Sequence, residues 1–481
     1  MVNLSLEDLS NMLKNSEFDK LVEFFDNNPP ATPPQAWLFV EALFAKGMYE
    51  RATKVLKVWE DRIDDPEDRL ELAYHQSRVF FIQNRIDEAI STLTQLLRSE
   101  DPPESNTIQE RKIWVELGRC YWRKGMPERA QKILNAMVRQ VDPINDATNY
   151  AHCYHILGQV AWSQGSLGTA LQYYNEALAI WEEQGASQKM ASTLNNIAAI
   201  YTTQAQFKKA YELFQQVRDL FTPSNNPLML GVINVNIGTI LFRQGERERA
   251  IEVYNAALDQ FECADMSHYK AGTIVCMARV MADLGTLSSD HPIIQRFPAD
   301  PNVGAFKSML EALLAQREGN WGIASDKWTE ALRSGSLDFN FLLVAYEGMT
   351  EAAFTRWRAR QSKETEQNLA RYLEEWEGLA ITNNLPADIV KTKLLRAKLA
   401  MVDLQFVSAQ KLLNEALSIS VDNNLPKHHR LVKLELVNVN KQMTQVFSSK
   451  AHRQRFEELQ LEKFRAYLRE IGKVLGEEEK E

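Results

Sequence analysis

The segments 117-LGRCYWRKGMPERA-130, 157-LGQVAWSQGSLGTA-170, 197-IAAIYTTQAQFKKA-210 and 237-IGTILFRQGERERA-250 decide the fold, because they repeat one pattern every 40 residues. A small residue stands second in each segment, and an alanine stands last. Four residues after each alanine comes a large apolar residue: Leu134, Tyr174, Phe214 and Tyr254. Small residues let two helices approach closely, and large residues fill the groove beside the contact. The pattern therefore predicts a recurring helix–turn–helix unit.

Glycine marks the turn between the two helices of several units. Gly125, Gly165 and Gly245 occupy the same place in three of these units, where glycine ends a helix in the left-handed conformation. Each helix then has about 15 to 17 residues and a length of roughly 24 Å at 1.5 Å per residue. One such hairpin cannot bury its apolar face alone, so neighbouring hairpins must stack on it.

Helix-breaking residues are scarce over the whole chain. Its 481 residues include 20 Gly and 16 Pro, about 7.5%, against roughly 12% in average proteins. Alternating strand patterns and the Asn-Gly or Asp-Gly turns of hairpins are also hard to find. The composition therefore favours an all-α protein over a β-sheet fold.

The charge balance narrows the choice of partners and of compartment. The net charge is −9, so no global basic field would draw the chain onto nucleic acid. No run of 18 apolar residues occurs, which argues against membrane insertion, and the N-terminus lacks the pattern of a signal peptide. The four cysteines show no Cys-x-x-Cys spacing and suit reduced thiols. We expect a cytoplasmic protein, and the sequence leaves a homo-oligomer open.

The repeat extends outward with lower fidelity and covers nearly the whole chain. The tetrapeptide Asn-Asn-Leu-Pro at 383–386 recurs at 423–426, which is again 40 residues later. A proline-rich stretch after residue 285 is the one obvious break in the pattern. We therefore expect four parts, namely an N-terminal superhelix at 1–285, an irregular joint at 286–304, C-terminal repeats at 305–447 and an amphipathic helix at 448–481.

The last of these parts carries one narrow apolar stripe between charged residues. Its members are spaced by three and four residues, as on one helix face: Leu461, Phe464, Leu468, Ile471 and Leu475. One interpretation is a capping helix that covers the last repeat, which solenoids need for solubility. The alternative is a helix that binds a partner or a second copy of the chain.

The repeated residues resemble the tetratricopeptide repeat (TPR). The family pattern of aromatic, Leu-Gly, Tyr and Ala appears as Trp114, Leu117, Gly118, Tyr121 and Ala130. The 40-residue period departs from the usual 34 residues and is similar to the long-period repeats of kinesin light chain and MalT-type regulators. The resemblance implies a right-handed α-solenoid whose first helices line a concave groove.

Carried over by position, the resemblance also implies which residues face that groove. They combine side-chain amides, cations and aromatic surfaces, which suit an extended peptide. The predicted partner-binding residues are Arg119, Trp122, Arg123, His152, His155, Gln159, Trp162, Asn195, Asn196, Asn236, Thr239, Phe242, Arg243 and Arg279.

His152, Cys153 and His155 form the one cluster that suggests a metal. Two histidines at i and i+3 share a helix face, but Cys153 points elsewhere and further ligands are missing from the local sequence, so no metal site is predicted. In a groove, the two histidines would make peptide binding sensitive to pH near their ordinary pKa of about 6.5.

Enzyme signatures are absent from the sequence. It contains no phosphate-binding loop ending in Gly-Lys-Ser/Thr, no GxGxxG, no HExxH and no GxSxG. We therefore expect neither catalysis nor a cofactor. The predicted function is a scaffold or adaptor that binds a partner peptide or helix in the groove, with the C-terminal helix as a second contact. The alternative is a regulatory sensor whose groove binds a peptide or small ligand and relays a conformational change to a partner.

Overall fold

The chain is described by a computed structural model that covers residues 4–448, apart from 98, 100, 104–106, 223, 264–265 and 361. Within these residues there are 23 α-helices, one short 3-10 helix and no β-strand. The helices up to residue 284 are α1 Leu6–Lys14, α2 Phe18–Asn27, α3 Pro33–Ala45, α4 Tyr49–Glu60, α5 Pro66–Ile82, α6 Ile86–Thr94, α7 Ile108–Arg123, α8 Pro127–Gln140, α9 Ala147–Ser163, α10 Leu167–Glu183, α11 Ser187–Thr203, α12 Phe207–Phe221, α13 Pro227–Gln244, α14 Arg247–Cys263 and α15 Ser267–Leu284. The later helices are α16 Pro292–Gln295, α17 Gly304–Arg317, α18 Trp321–Arg333, α19 Phe339–Arg360, α20 Lys363–Thr382, α21 Pro386–Val402, α22 Phe406–Asp422 and α23 Pro426–Ser448, and the 3-10 helix is Pro301–Val303.

Consecutive helices pack as pairs, and each pair stacks on the next. Close packing joins α9 with α10, α11 with α12 and α13 with α14, the pairs that the 40-residue pattern predicts. The all-α solenoid is therefore confirmed. The predicted capping helix at 448–481 lies outside the described residues, apart from Ser448 at the end of α23.

The small residue of each unit is the point where the two helices of a pair touch. A Cβ atom on Gly158 would lie 2.6 Å from Tyr174 Cε1, and one on Gly238 would lie 2.7 Å from the same atom of Tyr254. Both tyrosines are fully buried. These positions require glycine because the partner ring occupies the space of a side chain, and this explains the 16-residue spacing within each repeat.

The turns between paired helices recur with the same 40-residue period. Gly125, Gly165 and Gly245 have φ values of 80°, 75° and 93°, in the left-handed region that glycine adopts without strain. Ala205 takes the equivalent place in the third unit with a φ of 60°. This conformation is sterically unfavourable for a residue with a Cβ, so the surrounding structure must stabilise the turn at Ala205.

In the segment 286–304, two short helical pieces stand in place of the second helix of a pair. Only the four residues of α16 and the 3-10 helix are helical between α15 and α17. The chain divides by its contacts into two compact units, Met1–Asn384 and Leu385–Glu481, and this division falls later in the chain than the segment. The assignment of 286–304 as a joint between two arms stays a prediction.

The first unit also contains contacts between pairs that are far apart in the sequence. Asn226, at the start of α13, donates through its side-chain amide to the carbonyl oxygens of Phe44 and Ala45, each at 3.1 Å. One core cluster correspondingly contains Leu43 and Leu56 together with Phe261. Helix pairs five positions apart in the order of the chain are therefore in direct contact.

The second unit repeats the pair motif on its own. Ala409, Leu413 and Ala416 of α22 are fully buried, and Lys393 Nζ of α21 lies 2.6 Å from Glu415 Oε2 of α22. The turns before α21 and α23 place Asn384 and Asn424 in the left-handed region, at φ values of 51° and 49°. The repeated Asn-Asn-Leu-Pro motif thus supplies a helix stop, since asparagine tolerates this conformation, followed by a proline at the first helical position.

Candidate functional site

Polar side chains on the first helices of successive pairs meet across the stack. Glu71 of α5 lies 2.5 Å from Lys112 of α7, and Asn236 of α13 donates to Asn195 of α11 at 3.0 Å. Each of these pairs is separated by 41 residues, because equivalent positions of adjacent units stand side by side. We call this row the polar ladder. Its members are Glu41, Glu71, His75, Arg78, Lys112, Glu116, Arg119, His152, His155, Lys189, Thr193, Asn195 and Asn236.

The start of the polar ladder is a network of oppositely charged, half-buried side chains. Arg78 forms an ion pair with Glu41 and lies 4.3 Å from the centroid of the Phe44 ring. Burial opposes ionisation of Glu41, but Arg78 and His75 outweigh it and lower the pKa of this carboxyl to about 2. His75 and Lys112 do the same for Glu71, whose pKa also falls to about 2. Both carboxylates are therefore charged at neutral pH.

The cations further along the ladder rest on aromatic rings. Arg119 pairs with Glu116 on its own helix, and its guanidinium lies 3.9 Å from the centroid of Phe81. Lys189 lies 4.6 Å from the ring centroid of Trp181, and burial lowers the pKa of its ammonium group to about 8. Among the described residues, no carboxylate lies within ion-pair distance of Lys189. The ladder thus contains three paired carboxylates and one additional half-buried cation.

Both predicted groove histidines belong to the ladder, but in neutral form. The Nδ1 atom of His155 lies 2.9 Å from Thr193 Oγ1, and burial lowers the pKa of this imidazole to about 4. His152 packs edge-on against Trp181, and burial, with the positive charge of Lys189, holds its pKa well below the ordinary value. Burial in this cationic surrounding disfavours the imidazolium ion, so both pKa values lie below the ordinary 6.5, and the pH sensitivity of binding stays a prediction.

Other predicted groove residues are engaged in contacts between neighbouring units. Arg243 donates to the carbonyl oxygens of Thr202 and Thr203 at 3.2 and 3.3 Å, at the end of α11. Arg279 forms an ion pair with Glu347 of α19 at 3.0 Å, and its guanidinium lies 5.6 Å from the Phe242 ring. These contacts hold α11, α13, α15 and α19 together.

Several predicted residues pack within their own region of the stack. Trp122 is half-buried against the core, and Arg123 lies 5.8 Å from the Phe81 ring. Thr239 Oγ1 lies 3.1 Å from the hydroxyl of Tyr254, and Asn196 opposes the rise that burial causes in the pKa of Tyr174.

Gln159 and Trp162 carry buried polar atoms without a partner. The Oε1 atom of Gln159 and the indole Nε1 of Trp162 have no hydrogen-bond partner among the described residues. Buried polar atoms are nearly always paired in proteins, so each of these two atoms has capacity for a ligand.

Sequence reasoning missed five charged or titratable residues near the start of the ladder. Glu41, Glu71, His75, Arg78 and Glu116 were not assigned to the groove, although Glu71 and Arg78 stand 41 residues before Lys112 and Arg119. Extending the period upstream would have found these two. The 37-residue offset between Glu41 and Arg78 departs from the period and gave no such signal.

Two searches of the described residues bear on other classes of site. No group of three or more His, Cys, Asp or Glu side chains in residues 4–448, gaps excepted, is arranged to hold a metal ion. No helix of the described part of the chain is long and apolar enough to cross a membrane.

A family model and several known proteins match part of the chain. The tetratricopeptide repeat model matches residues 109–183 and 189–262. Among curated proteins, the chain is 30% identical over 131 residues to the "Photosystem I assembly protein Ycf3" of Cyanophora paradoxa, which covers 27% of this chain and 70% of that protein. It is 28% identical over 130 residues to the protein of the same name from Synechococcus sp. (strain CC9605), covering 26% of this chain and 72% of the relative.

Solved structures give a likeness at low sequence identity. A Rap protein complexed with competence and sporulation factor aligns with a TM-score of 0.43 at 11% identity, over 92% of this chain and 99% of that one. NprR in complex with its cognate peptide NprX aligns with a TM-score of 0.43 at 14% identity, over 77% of this chain and 97% of that one.

Proposed function

The chain belongs to the tetratricopeptide repeat proteins, and from this premise we propose that it is a non-catalytic scaffold or adaptor, acting in the cytoplasm, that binds a peptide or helix of a partner along the polar ladder. The observation that carries the proposal is the set of unsatisfied groups on one row of helices. Gln159 Oε1 and Trp162 Nε1 are buried without a partner, and Lys189 is a half-buried cation that has no carboxylate within ion-pair distance among the described residues. A peptide offers what these groups lack, namely backbone N–H and C=O groups and carboxylates.

The relatives support an assembly role. Two of them are named as assembly proteins of photosystem I, and they match about a quarter of this chain. An assembly scaffold needs a rigid surface that holds a partner segment in one register. Ion pairs and hydrogen bonds between side-chain amides join neighbouring first helices, and these contacts provide such rigidity.

The test is capture of the partner by tagged full-length protein, with identification by mass spectrometry. Lys189→Gln removes the cation and shortens the side chain by only one atom, so we expect at least about tenfold weaker capture. Lys208→Gln on α12 is the matched control, because Lys208 is exposed on a second helix, away from the ladder. Equal capture by native protein and Lys189→Gln, with both variants folded by circular dichroism, would place binding elsewhere.

A regulatory sensor is the second candidate, and a specific contact favours it. Arg279, at the far end of the predicted groove, is tied to Glu347 of α19, and Thr203 donates to Asn340 of α19 at 2.8 Å. A ligand that displaced either contact would loosen the attachment of α19 to α11 or α15. Small-angle scattering with and without the captured peptide separates the candidates, since a scaffold keeps its radius of gyration and a sensor changes it.

A further inference from the structure

A polar cavity lies apart from the polar ladder, between α17, α18, α19 and α20 of the first unit. Its volume is about 890 Å³, within the range of roughly 300 to 1,000 Å³ that is usual for small-molecule sites. Four arginines line it, one from α18, two from α19 and one from α20: Arg333, Arg356, Arg360 and Arg371. Three helices thus bring guanidinium groups to one concave space.

The arginines of this cavity outnumber its carboxylates, four to three. Among the described residues, none of the four guanidiniums lies within ion-pair distance of Asp or Glu. Asp326, Glu330 and Glu364 also line the cavity, but Glu330 is held by Lys327 at 3.0 Å. The lining side chains therefore carry an excess of one positive charge, which favours anions in a chain of net charge −9.

The arginine N–H groups are hydrogen-bond donors of the cavity, beside hydroxyl, amide and carboxylate side chains. Ser334 Oγ donates to its own helix at Ala331 O over 2.7 Å, and Ser308 does so at Gly304 O over 3.1 Å. Arg356 is half-buried and uses one N–H to donate to Ser325 Oγ at 3.0 Å, which fixes its direction and leaves its other N–H groups available. Several guanidinium forks without carboxylate partners match the oxygens of a phosphate group.

We infer that this cavity binds a small phosphate-bearing molecule with at least two negative charges, held by Arg333, Arg356 and Arg360. The assignment is independent of the proposed function, because none of these residues belongs to the polar ladder. A small molecule fits better than a protein segment because the volume is that of a single-ligand pocket.

The test is titration calorimetry on the full-length protein with inorganic triphosphate and with ATP, at fixed ionic strength. We expect binding with a Kd below about 1 mM. The double variant Arg333→Ala/Arg360→Ala should weaken it at least about tenfold, and because both side chains are exposed the fold should persist. Arg356→Lys keeps the charge and loses the fork, so it should weaken binding several-fold. Arg358→Ala is the matched control on α19, since Arg358 is exposed and does not line the cavity.

Four results would overturn the inference. They are no heat of binding with either phosphate compound, native affinity in the double variant, equal loss in Arg358→Ala, or equally tight binding of citrate, which would assign a carboxylate ligand instead. A phosphoserine peptide that bound more tightly than ATP would overturn the small-molecule assignment.

Discussion

His155 shows how burial couples one side chain to pH. Its imidazole lies 2.9 Å from Thr193 Oγ1 in the polar ladder, and burial lowers its pKa to about 4, whereas an unfolded histidine has a pKa of about 6.5. Between these values the unfolded chain binds more protons than the folded one. The free energy of unfolding therefore falls as the pH decreases from about 6.5 towards 4.

The variant His155→Asn should remove that part of the pH dependence, because asparagine can keep a hydrogen bond to Thr193 and does not titrate. Between pH 7 and pH 5, the native protein should lose roughly 1 to 2 kcal/mol more unfolding free energy than the variant. Urea unfolding at the two pH values measures the difference. Parallel pH profiles for the two proteins would show that His155 is protonated alike in both states.

At the scale of the element, the approach of paired helices rests on glycines beneath aromatic rings. A Cβ on Gly158 would press on Tyr174 at 2.6 Å, whereas a Cβ on Gly378, inside α20, would meet nothing within 4 Å. Neither residue has a positive φ. The two positions therefore separate packing from helix propensity.

We expect Gly158→Ala to lower the unfolding free energy by about 1 to 3 kcal/mol, because the α9–α10 contact must open. Gly378→Ala should raise it by up to about 1 kcal/mol, since alanine is the better helix former. Thermal unfolding followed by circular dichroism measures both. Similar effects of the two substitutions would mean that the ring of Tyr174 moves aside without cost.

The sequence alone predicts the helix pairs well and the ladder only in part. Period and glycine placement locate the pairs, because packing against Tyr174 or Tyr254 leaves no room for another residue. Groove positions are harder, since residues one turn apart can face either the ladder or the core. Arg119 and Trp122 were assigned to the groove together, yet Arg119 joins the ladder and Trp122 packs on the core.

At the scale of the whole first unit, the contact of Asn226 with α3 departs from a one-dimensional array. In a simple solenoid each pair touches only its neighbours, and stability is a sum over adjacent interfaces. Asn226 joins the α13 end of the stack to Phe44 and Ala45, about 180 residues earlier. No local pattern signals such a contact, because it depends on how the superhelix returns towards its start.

Asn226→Ala should therefore lower the free energy of unfolding by more than the loss of an ordinary helix cap does. We expect a loss of roughly 2 to 4 kcal/mol, from the cap that Asn226 gives Leu228 N and from the two carbonyls left buried. Asp65→Ala, which removes the exposed cap of α5, is the control and should cost about 1 kcal/mol. Hydrogen exchange should speed up in both α3 and α13 of the first variant. Faster exchange in α13 alone would show that the distant contact adds no stability.

The same contact has a consequence for synthesis of the chain on the ribosome. The carbonyls of Phe44 and Ala45 find their partner only when the chain has grown by a further 181 or 182 residues. At roughly 5 to 20 residues per second, this interval lasts about 10 to 40 s. During this interval the apolar surface around Leu43 lacks its contacts with Leu228 and Phe261, which belong to the same core cluster. We therefore expect the nascent N-terminal pairs to expose apolar surface longer than their local packing alone would require.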